Sequence, residues 1–328
     1  MGAICKPPFS GSARTPTPSD HYLDGRFFNP GVRHKGFLDL LKWITHRRIG
    51  PWRHFLDSPP GPRPPERVPG RDLRVTFVNH STVLLQTEGL NLLTDPVWSQ
   101  RTSPVQWIGP RRHRNPGILF ADLPPIDAVL ISHDHYDHLD KPTLRRLLDR
   151  GQPAVFCPLG VGRLLRKIGF QEIHELDWWE HRLWGDLRVH CTPAQHFSGR
   201  APWNRNRTLW CGWLLECISG NIYFAGDSAA CPHFAAIAEH FPELRFALLP
   251  VGAYKPEWFM EPVHLSPDQT LEVHATLGAP PAIAIHYGTF ALADDGETEA
   301  VDRLAELIEI SGSDSFWIAR EGEGFFVP

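Results

Sequence analysis

Four features that would point to particular classes of protein are missing from this sequence of 328 residues. None of its six cysteines forms a C-x-x-C pair, so neither a zinc ribbon nor a redox dithiol is predicted. No window has the length of a transmembrane helix, and the first residues lack the apolar stretch of a signal peptide. A net charge of −4 gives no bulk attraction for nucleic acid. We therefore expect a cytoplasmic protein with reduced, buried cysteines.

The first 70 residues differ in texture from the remainder and are predicted to form an N-terminal extension. Residues 1 to 34 are rich in Pro, Ser and Gly, and a proline-rich linker runs from Pro59 to Pro69. Between them, residues 37–48 place Phe37, Leu40, Leu41 and Ile44 on one helical stripe. The stripe favours a helix packed on the main domain. Because Trp43 and basic residues lie beside it, an interfacial membrane helix is the alternative.

Residues 71–328 are predicted to form one α+β domain in which helices cover β-sheets. Short runs of β-branched and aliphatic residues predict strands at 73–78, 82–86, 90–94, 126–131, 154–157, 187–191, 208–217, 221–225, 245–250 and 282–285. Apolar periodicity predicts helices at 141–150, 160–168, 232–240, 266–277 and 297–310. Strands come first and then alternate with helices, which indicates a single continuous domain.

The hexapeptide His133-Asp134-His135-Tyr136-Asp137-His138 is the strongest chemical signal in the chain. It places three imidazoles and two carboxylates in six residues, between a predicted strand and a predicted helix. Packing five such side chains together without a cation would be electrostatically unfavourable. Mixed imidazole and carboxylate ligands suit zinc, and also manganese or iron, and are usual in catalytic sites. The hexapeptide therefore predicts a metal site.

Three further residues of metal-ligand type follow predicted strands. His196, Asp227 and His286 each lie in a turn or beside small residues, where open sheets place their ligand-binding loops. Taken singly, each is explained equally well as a buried histidine or a turn aspartate. Together with the hexapeptide they supply enough ligands for two metals, with Asp227 bridging.

These motifs resemble the metallo-β-lactamase superfamily, whose signature H-x-H-x-D-H is matched by residues 133–138. The surrounding sequence is similar to the branch that contains N-acyl-phosphatidylethanolamine-hydrolysing phospholipase D. The pieces that carry this similarity are Asn79-His80-Ser81-Thr82, Thr94-Asp95-Pro96-Val97, Gly109-Pro110-Arg111-Arg112, Gln195-His196-Phe197-Ser198-Gly199-Arg200, Gly226-Asp227-Ser228, Pro250-Val251-Gly252-Ala253-Tyr254, His264-Leu265-Ser266-Pro267 and Ile285-His286-Tyr287-Gly288-Thr289-Phe290. The resemblance extends from about residue 27 to about residue 310.

The resemblance implies a four-layer αββα sandwich and two Zn²⁺ ions per chain, with Mn²⁺ or Fe²⁺ as alternatives. The implied ligands are His133, His135 and His196 on one metal, Asp137, His138 and His286 on the other, and Asp227 as the bridge. Asp137 would also orient the nucleophile, and Asp95 would support the site by fixing a ligand imidazole. His264 is either a proton donor or a histidine that caps the helix start. Lys255 departs from the family, where an acid is common, and would change the charge at the substrate mouth.

The function implied by the resemblance is hydrolysis of N-acyl-phosphatidylethanolamine-like phospholipids to phosphatidic acid and an N-acylethanolamine. Two other functions stay open: a soluble hydrolase of the same fold acting on a small phosphodiester or sugar-phosphate lactone, and a metal-binding protein without activity. The expected partners are a phospholipid or other phosphodiester and a membrane surface contacted peripherally through residues 37–48, with no nucleic acid. The chain could also form a homodimer, and the sequence leaves the oligomeric state open.

Overall fold

The computed structural model describes residues 19–32 and 35–328. Its strands are β1 Tyr22–Leu23, β2 Arg26–Phe27, β3 Leu73–Asn79, β4 Thr82–Thr87, β5 Leu90–Thr94, β6 Ala128–Leu130, β7 Ala154–Pro158, β8 Ile173–Leu176, β9 His181–Trp184, β10 Leu187–Thr192, β11 Gly212–Cys217, β12 Gly220–Phe224, β13 Leu244–Pro250, β14 Ala282–Ile285, β15 Phe316–Trp317 and β16 Gly324–Val327. Its α-helices are α1 Phe37–Thr45, α2 Lys141–Arg150, α3 Gly162–Ile168, α4 His233–His240, α5 Glu257–Met260, α6 Pro267–Thr276 and α7 Glu299–Ser311.

Two seven-stranded sheets share one pattern of strand pairing. The first has the order β16-β3-β4-β5-β6-β7-β8, and the second has the order β9-β10-β11-β12-β13-β14-β15. In each sheet the first four strands pair antiparallel and the remaining pairs are parallel. The parallel halves need helical crossovers, whereas the antiparallel halves are joined by short turns.

The alternation of side chains along each strand builds two cores from the first sheet. In β6, Ala128 and Leu130 join the core between the sheets, whereas Val129 packs with Leu144 and Leu147 of α2 on the outer face. The second sheet buries its other face against α4, α6 and α7 through residues such as Phe234. Successive residues of a strand point to opposite faces, so one strand serves both cores. The predicted αββα sandwich is confirmed.

Two elements are shorter than predicted, because residues at one end of each make hydrogen bonds to other parts of the chain. Helix α1 ends at Thr45 instead of continuing to residue 48, because the Arg48 backbone and the Arg47 side chain bond Asp294. The predicted strand at 208–217 begins only at Gly212. Before it, the Cys211 amide donates to the Ser132 carbonyl, outside the sheet ladder.

The N-terminal residues that the structure describes pack on the sandwich. Phe27 is buried in the core between the sheets, and its amide donates to the carbonyl of Asn206 at 2.7 Å. Asn29 is 3% exposed; its Nδ2 donates to the His196 carbonyl at 2.7 Å, and its Oδ1 accepts from Trp210 Nε1 at 3.1 Å. We call residues 19–32 the N-terminal strap. The domain boundary at residue 70 stays a prediction.

The sequence predicts no membrane-spanning helix and predicts reduced, buried cysteines. Among the helices described, none is long and apolar enough to cross a membrane. The five cysteines within the described ranges are free thiols, and four of them are buried. Cys5 lies outside those ranges.

Candidate metal centre

The seven predicted metal ligands converge at one end of the sandwich because each of them follows the carboxyl end of a strand. Residues 133–138 come after β6, His196 after β10, Asp227 after β12 and His286 after β14. Strands β5, β6 and β7 are parallel, as are β12, β13 and β14, so the loops at these ends face the same edge. The structure thus brings together all seven predicted ligands and also Asp95 and His264.

One group of three imidazoles faces a common point. His133 Nε2 lies 2.7 Å from His135 Nδ1, and His196 Nε2 lies 3.3 Å from the same atom. The other ring nitrogen of His196 donates to the Val263 carbonyl at 2.8 Å. That bond fixes the tautomer and leaves Nε2 free as a metal ligand.

A second group surrounds the carboxylate of Asp227. Its Oδ2 lies 3.0 Å from His286 Nε2 and 3.2 Å from His138 Nε2, and it also lies 3.8 Å from His196 Nε2 in the first group. Asp137 Oδ2 lies 3.2 Å from His138 Nε2. Asp227 therefore stands between the two groups, at the position that a bridging ligand requires.

Several buried ligand atoms in the second group have no hydrogen-bond partner. They are Nε2 of His138, Nε2 of His286 and Oδ1 of Asp227. Buried polar atoms are almost always satisfied in native proteins, so three such atoms in one cluster need an explanation. Divalent cations accept imidazole and carboxylate donors, and this donor set fits them.

The pKa shifts of the proposed ligands show which of them already have the form that binds a cation. Burial alone would raise the pKa of the Asp137 carboxyl, but the His138 imidazole offsets this and holds the pKa well below its usual range. Burial lowers the pKa of His135 to about 4, so its ring is neutral and offers a lone pair. The Asp137 carboxylate is thus ionised and the His135 imidazole unprotonated, which are the forms that bind cations. Burial opposes protonation of His138 and His286, but the Asp227 carboxylate raises the pKa of His286 to about 9 and that of His138 well above its usual value, so a cation would have to displace protons from these two rings.

Asp95 hydrogen-bonds to one histidine of the second group directly and is linked to one of the first group through Ser132. Its Oδ2 accepts from His138 Nδ1 at 2.6 Å and from Ser132 Oγ at 2.5 Å, and its Oδ1 accepts from the Ser132 amide at 2.7 Å. Ser132 Oγ in turn accepts from His133 Nδ1 at 2.9 Å. One fully buried carboxylate therefore orients an imidazole on each side of the site.

His80 is a site residue that the sequence reasoning did not identify. It lies in the turn between β3 and β4 with a φ of 49°, and its Nε2 donates to Asp137 Oδ2 at 2.9 Å. The ring is 4.2 Å from that of His286, centroid to centroid. The sequence signal for His80 is the motif Asn79-His80-Ser81-Thr82, which is one of the pieces that carry the family resemblance. A histidine directly after a strand is the pattern that identified the other ligands.

His264 lies beside the cluster of proposed metal ligands and does not cap the following helix. The cap of α6 is Ser266, whose Oγ accepts from the Gln269 amide. The His264 ring lies 5.0 Å from that of His196 and 5.3 Å from that of His286, and its Nδ1 is buried without a partner. Burial lowers the pKa of His264 to about 4. Its position beside the cluster allows contact with a substrate, and its role as a proton donor stays a prediction.

A cavity of about 740 Å³ leads from the surface to the cluster of proposed metal ligands, which we call the metal cluster. Its inner wall includes His135, Asp137, His196, Asp227, His264 and His286. The rest of its lining is mainly apolar and includes Phe37, Leu40, Trp43, Phe197, Phe259, Met260, Val263 and Leu292. Helix α1 thus forms part of the entrance to the site, a position that the sequence did not reveal. Lys255, expected to change the charge at this mouth, is paired with Glu299 and does not line the cavity.

Helix α1 is attached to the domain through one side only. Trp43 stacks on Phe259 at 4.9 Å between ring centroids, and its Nε1 donates to Asp294 Oδ1 at 3.2 Å. No residue of this helix is buried, and Phe37 and Leu38 are 77% and 78% exposed. The expectation that the stripe packs on the main domain is therefore wrong, because the contact is made by Trp43, which lies beside the stripe. Most of the apolar stripe faces solvent.

Comparison with known proteins gives the same family. The model of the beta-lactamase superfamily domain matches residues 90–287. An uncharacterized protein of Mycobacterium tuberculosis is 38% identical over 89% of this chain and 80% of its own length. The N-acyl-phosphatidylethanolamine-hydrolyzing phospholipase D 1 of Caenorhabditis elegans is 36% identical over 83% of this chain and 81% of its own length.

A solved structure agrees with the fold. A metallo hydrolase from the archaeon Ignicoccus hospitalis superposes with a TM-score of 0.61 at 20% identity, covering 78% of this chain and 99% of the archaeal chain. At that identity the likeness concerns the fold alone. Sequence, fold and the cluster of ligand side chains agree: the chain is a metal-dependent hydrolase and belongs to the metallo-β-lactamase superfamily, in the branch of the N-acyl-phosphatidylethanolamine-hydrolyzing phospholipases D.

Proposed function

We propose that the chain is a dinuclear zinc-dependent phosphodiesterase that hydrolyses N-acyl-phosphatidylethanolamine-like phospholipids to phosphatidic acid and an N-acylethanolamine. The cavity is the observation that carries this proposal. It joins the ligand cluster to an apolar entrance formed by Phe37, Leu40 and Phe259. A lipid substrate needs both parts, because its phosphodiester must reach the metals while its acyl chains leave water.

The proposed metal ligands form two sets that share one carboxylate. His133, His135 and His196 would hold one zinc ion, Asp137, His138 and His286 the other, and Asp227 both. When bound, two such cations would lower the pKa of an attacking water and offset negative charge on the phosphoryl oxygens.

The protein's own residues would then orient the reacting groups. His80 donates a hydrogen bond to Oδ2 of Asp137, which fixes the carboxylate toward the cluster. In that orientation Asp137 can accept a hydrogen bond from the attacking water and direct it at phosphorus. Asp95 keeps the Nδ1 protons on His138 and, through Ser132, on His133.

His264 is proposed to contact the leaving alcohol. It lines the cavity next to the ligand cluster, and its Nδ1 has no hydrogen-bond partner among residues 19–32 and 35–328. Because burial lowers the pKa of His264, the ring is neutral at neutral pH. A neutral imidazole can donate an N–H hydrogen bond to the departing oxygen, which would stabilise the charge that develops there.

The first test pairs metal content with activity on two substrates. The zinc-loaded protein is assayed on N-acyl-phosphatidylethanolamine in mixed micelles and on bis(p-nitrophenyl) phosphate, with zinc counted by elemental analysis. Two zinc ions per chain with turnover of the lipid are expected. Turnover of the small diester alone would retain the metal chemistry and favour the alternative, a hydrolase of small phosphodiesters or sugar-phosphate lactones. Two bound metals without hydrolysis of either substrate would contradict the proposal.

We further propose that α1 contacts the membrane surface from which the lipid enters. Leu41 and Ile44 are 46% and 56% exposed and do not line the cavity, so they are free to enter a lipid interface. The double substitution Leu41→Ser with Ile44→Ser is expected to lower turnover of lipid in dilute vesicles at least about 100-fold, because burying each side chain contributes about 1.5–3 kcal/mol and about 1.4 kcal/mol is a factor of ten. Turnover of bis(p-nitrophenyl) phosphate should not change.

A matched control comes from α7. Ile310 is 79% exposed and lies on the outer helix layer, away from the cavity. Ile310→Ser should leave both activities unchanged. Equal losses on vesicles and on the small diester in the α1 variant would argue against membrane contact.

A further inference from the structure

The charges that line the cavity outside the metal cluster are all positive. Its two carboxylates, Asp137 and Asp227, belong to the proposed metal ligands. Apart from histidines and Tyr136, the remaining ionisable side chains of its lining are Lys35 and Arg205. Lys35 and Arg205 are both exposed to solvent, and charges of one sign at the mouth of a cleft raise the local concentration of ligands of the opposite sign. The entrance is therefore suited to a ligand that carries negative charge beyond the group bound at the metals.

Arg205 lies one aromatic ring away from the metal cluster. Its guanidinium carbon is 4.3 Å from the centre of the Phe197 ring. That ring in turn lies 4.5 Å from the His135 ring and 4.8 Å from the His196 ring, centroid to centroid. A group held by Arg205 would therefore be only a few bonds from a phosphodiester held at the cluster.

The guanidinium of Arg205 has no acceptor within the described parts of the chain, which distinguishes it from its neighbour Arg200. Arg200 stacks on Tyr136 and donates to the carbonyls of Asp134 and Leu139 at 2.8 Å each. Arg205 stacks on its ring in the same way, yet no carboxylate or carbonyl of the residues described accepts from its guanidinium. The Arg205 side chain is exposed at the mouth of the cavity, and burial of a part of it lowers its pKa. A planar guanidinium with five free donors is well suited to a carboxylate or phosphate.

We propose that Arg205, assisted by Lys35, forms a subsite for a second anionic group of the substrate. This inference rests on the proposed function, which supplies the phosphodiester at the metals. The preferred substrate would be an N-acylated phosphodiester lipid whose headgroup also bears a carboxylate, with Arg205 binding that carboxylate in bidentate geometry. The same chemistry could serve an acidic lipid of the surrounding membrane, so the test uses ligands in monomeric solution.

The test compares two short-chain ligands that differ by one carboxylate. They are the phosphonate analogues of N-acyl-phosphatidylethanolamine and of N-acyl-phosphatidylserine, used below their micelle-forming concentrations. Their binding to the zinc-loaded protein is measured by isothermal titration calorimetry. The carboxylate-bearing analogue is expected to bind about tenfold more tightly to the wild type, a difference of about 1.4 kcal/mol, because it adds one hydrogen-bonded charge pair.

Variants at two neighbouring arginines separate a local subsite from a general effect of charge. Arg205→Gln should remove the preference without weakening the ethanolamine analogue, and Arg205→Lys should retain part of it. Arg207 is exposed, carries the same charge and does not line the cavity, so Arg207→Gln should keep the full preference.

Three results would overturn the subsite: equal affinities of the wild type for the two analogues, an equal weakening of both by Arg205→Gln, or binding of neither. Failure of the proposed function is read separately, because phosphonates need no turnover. A carboxylate preference that depends on Arg205 would stand even if the lipid were not hydrolysed. A preference seen only in acidic vesicles and absent with monomers would assign Arg205 to the membrane surface and refute the substrate subsite.

Discussion

Substitution of Asp95 by asparagine tests how the site keeps its ligands in the right tautomer. In the wild type the carboxylate accepts from His138 Nδ1 at 2.6 Å, so the proton stays on Nδ1 and Nε2 faces the cluster without one. An asparagine that keeps its oxygen toward the Ser132 amide turns its NH₂ group toward His138. The imidazole must then accept at Nδ1 and carry its proton on Nε2, where the metal should bind.

The size of the effect follows from the lost hydrogen bond. A charge-assisted hydrogen bond contributes about 1.5–3 kcal/mol, and outer-sphere partners of metal ligands typically contribute about 10–100-fold in affinity. We therefore expect Asp95→Asn to weaken the binding of one zinc ion about 10–100-fold. The metal-free protein should not be destabilised, because burial raises the pKa of Asp95 and the neutral amide removes the cost of a buried charge.

The assay is competition for zinc against a chelator, combined with thermal unfolding of the metal-free protein. Asp149→Asn is the control, because Asp149 is exposed on α2 and distant from the cluster. Zinc affinity equal to that of the wild type would refute the tautomer argument. A large loss of thermal stability in the metal-free protein would show instead that Asp95 acts mainly as a structural residue.

Three other predictions follow from the site and its surroundings. His135→Ala should lose bound zinc and phosphodiesterase activity together, and full turnover after stoichiometric zinc loss would remove it from the ligand set. His80→Ala should lower kcat for bis(p-nitrophenyl) phosphate about tenfold while zinc stays bound, because Asp137 loses one hydrogen bond of about 1.4 kcal/mol; a change confined to KM would contradict this role. Burial opposes protonation of His21, but hydrogen bonds to Asp177 and Asp20 raise its pKa above 6.5. The contact with Asp177 therefore stabilises the folded protein fully at pH values below 6.5, and this stabilisation is lost as the pH rises through the folded-state pKa of His21. Asp177→Asn should thus lower Tm more at about pH 6 than at about pH 9.

Sequence reasoning located the elements that have a strong local pattern. Helix α2 begins and ends where predicted, and the hexapeptide lies between β6 and that helix as expected. Local composition determines these features, because strand propensity, an N-terminal proline and a dense ligand cluster are all read within a few residues. The same holds for β3, β4 and β5, whose alternation serves two cores.

Elements that depend on distant partners were not predicted. Strand β16 is four residues long and exists because it pairs with β3, more than two hundred positions earlier in the chain. Strands β8 and β9 are similarly short and carry polar residues at the sheet edges. The entrance formed by α1 depends on one stacking contact between Trp43 and Phe259. No local pattern encodes such contacts, since tertiary packing decides them.

The hydrogen bond between Asn29 and the His196 carbonyl has a consequence for the order in which the protein assembles during synthesis. Its two partners are 167 positions apart, so the strap leaves the ribosome long before the segment that it binds exists. Its amide therefore remains without that partner until the second sheet has begun to form. The last proposed ligand, His286, follows still later, so the proposed set of metal ligands can be complete only after residue 286 has been made. Completion of that set therefore requires β6 of the first sheet and β10, β12 and β14 of the second sheet to have been made.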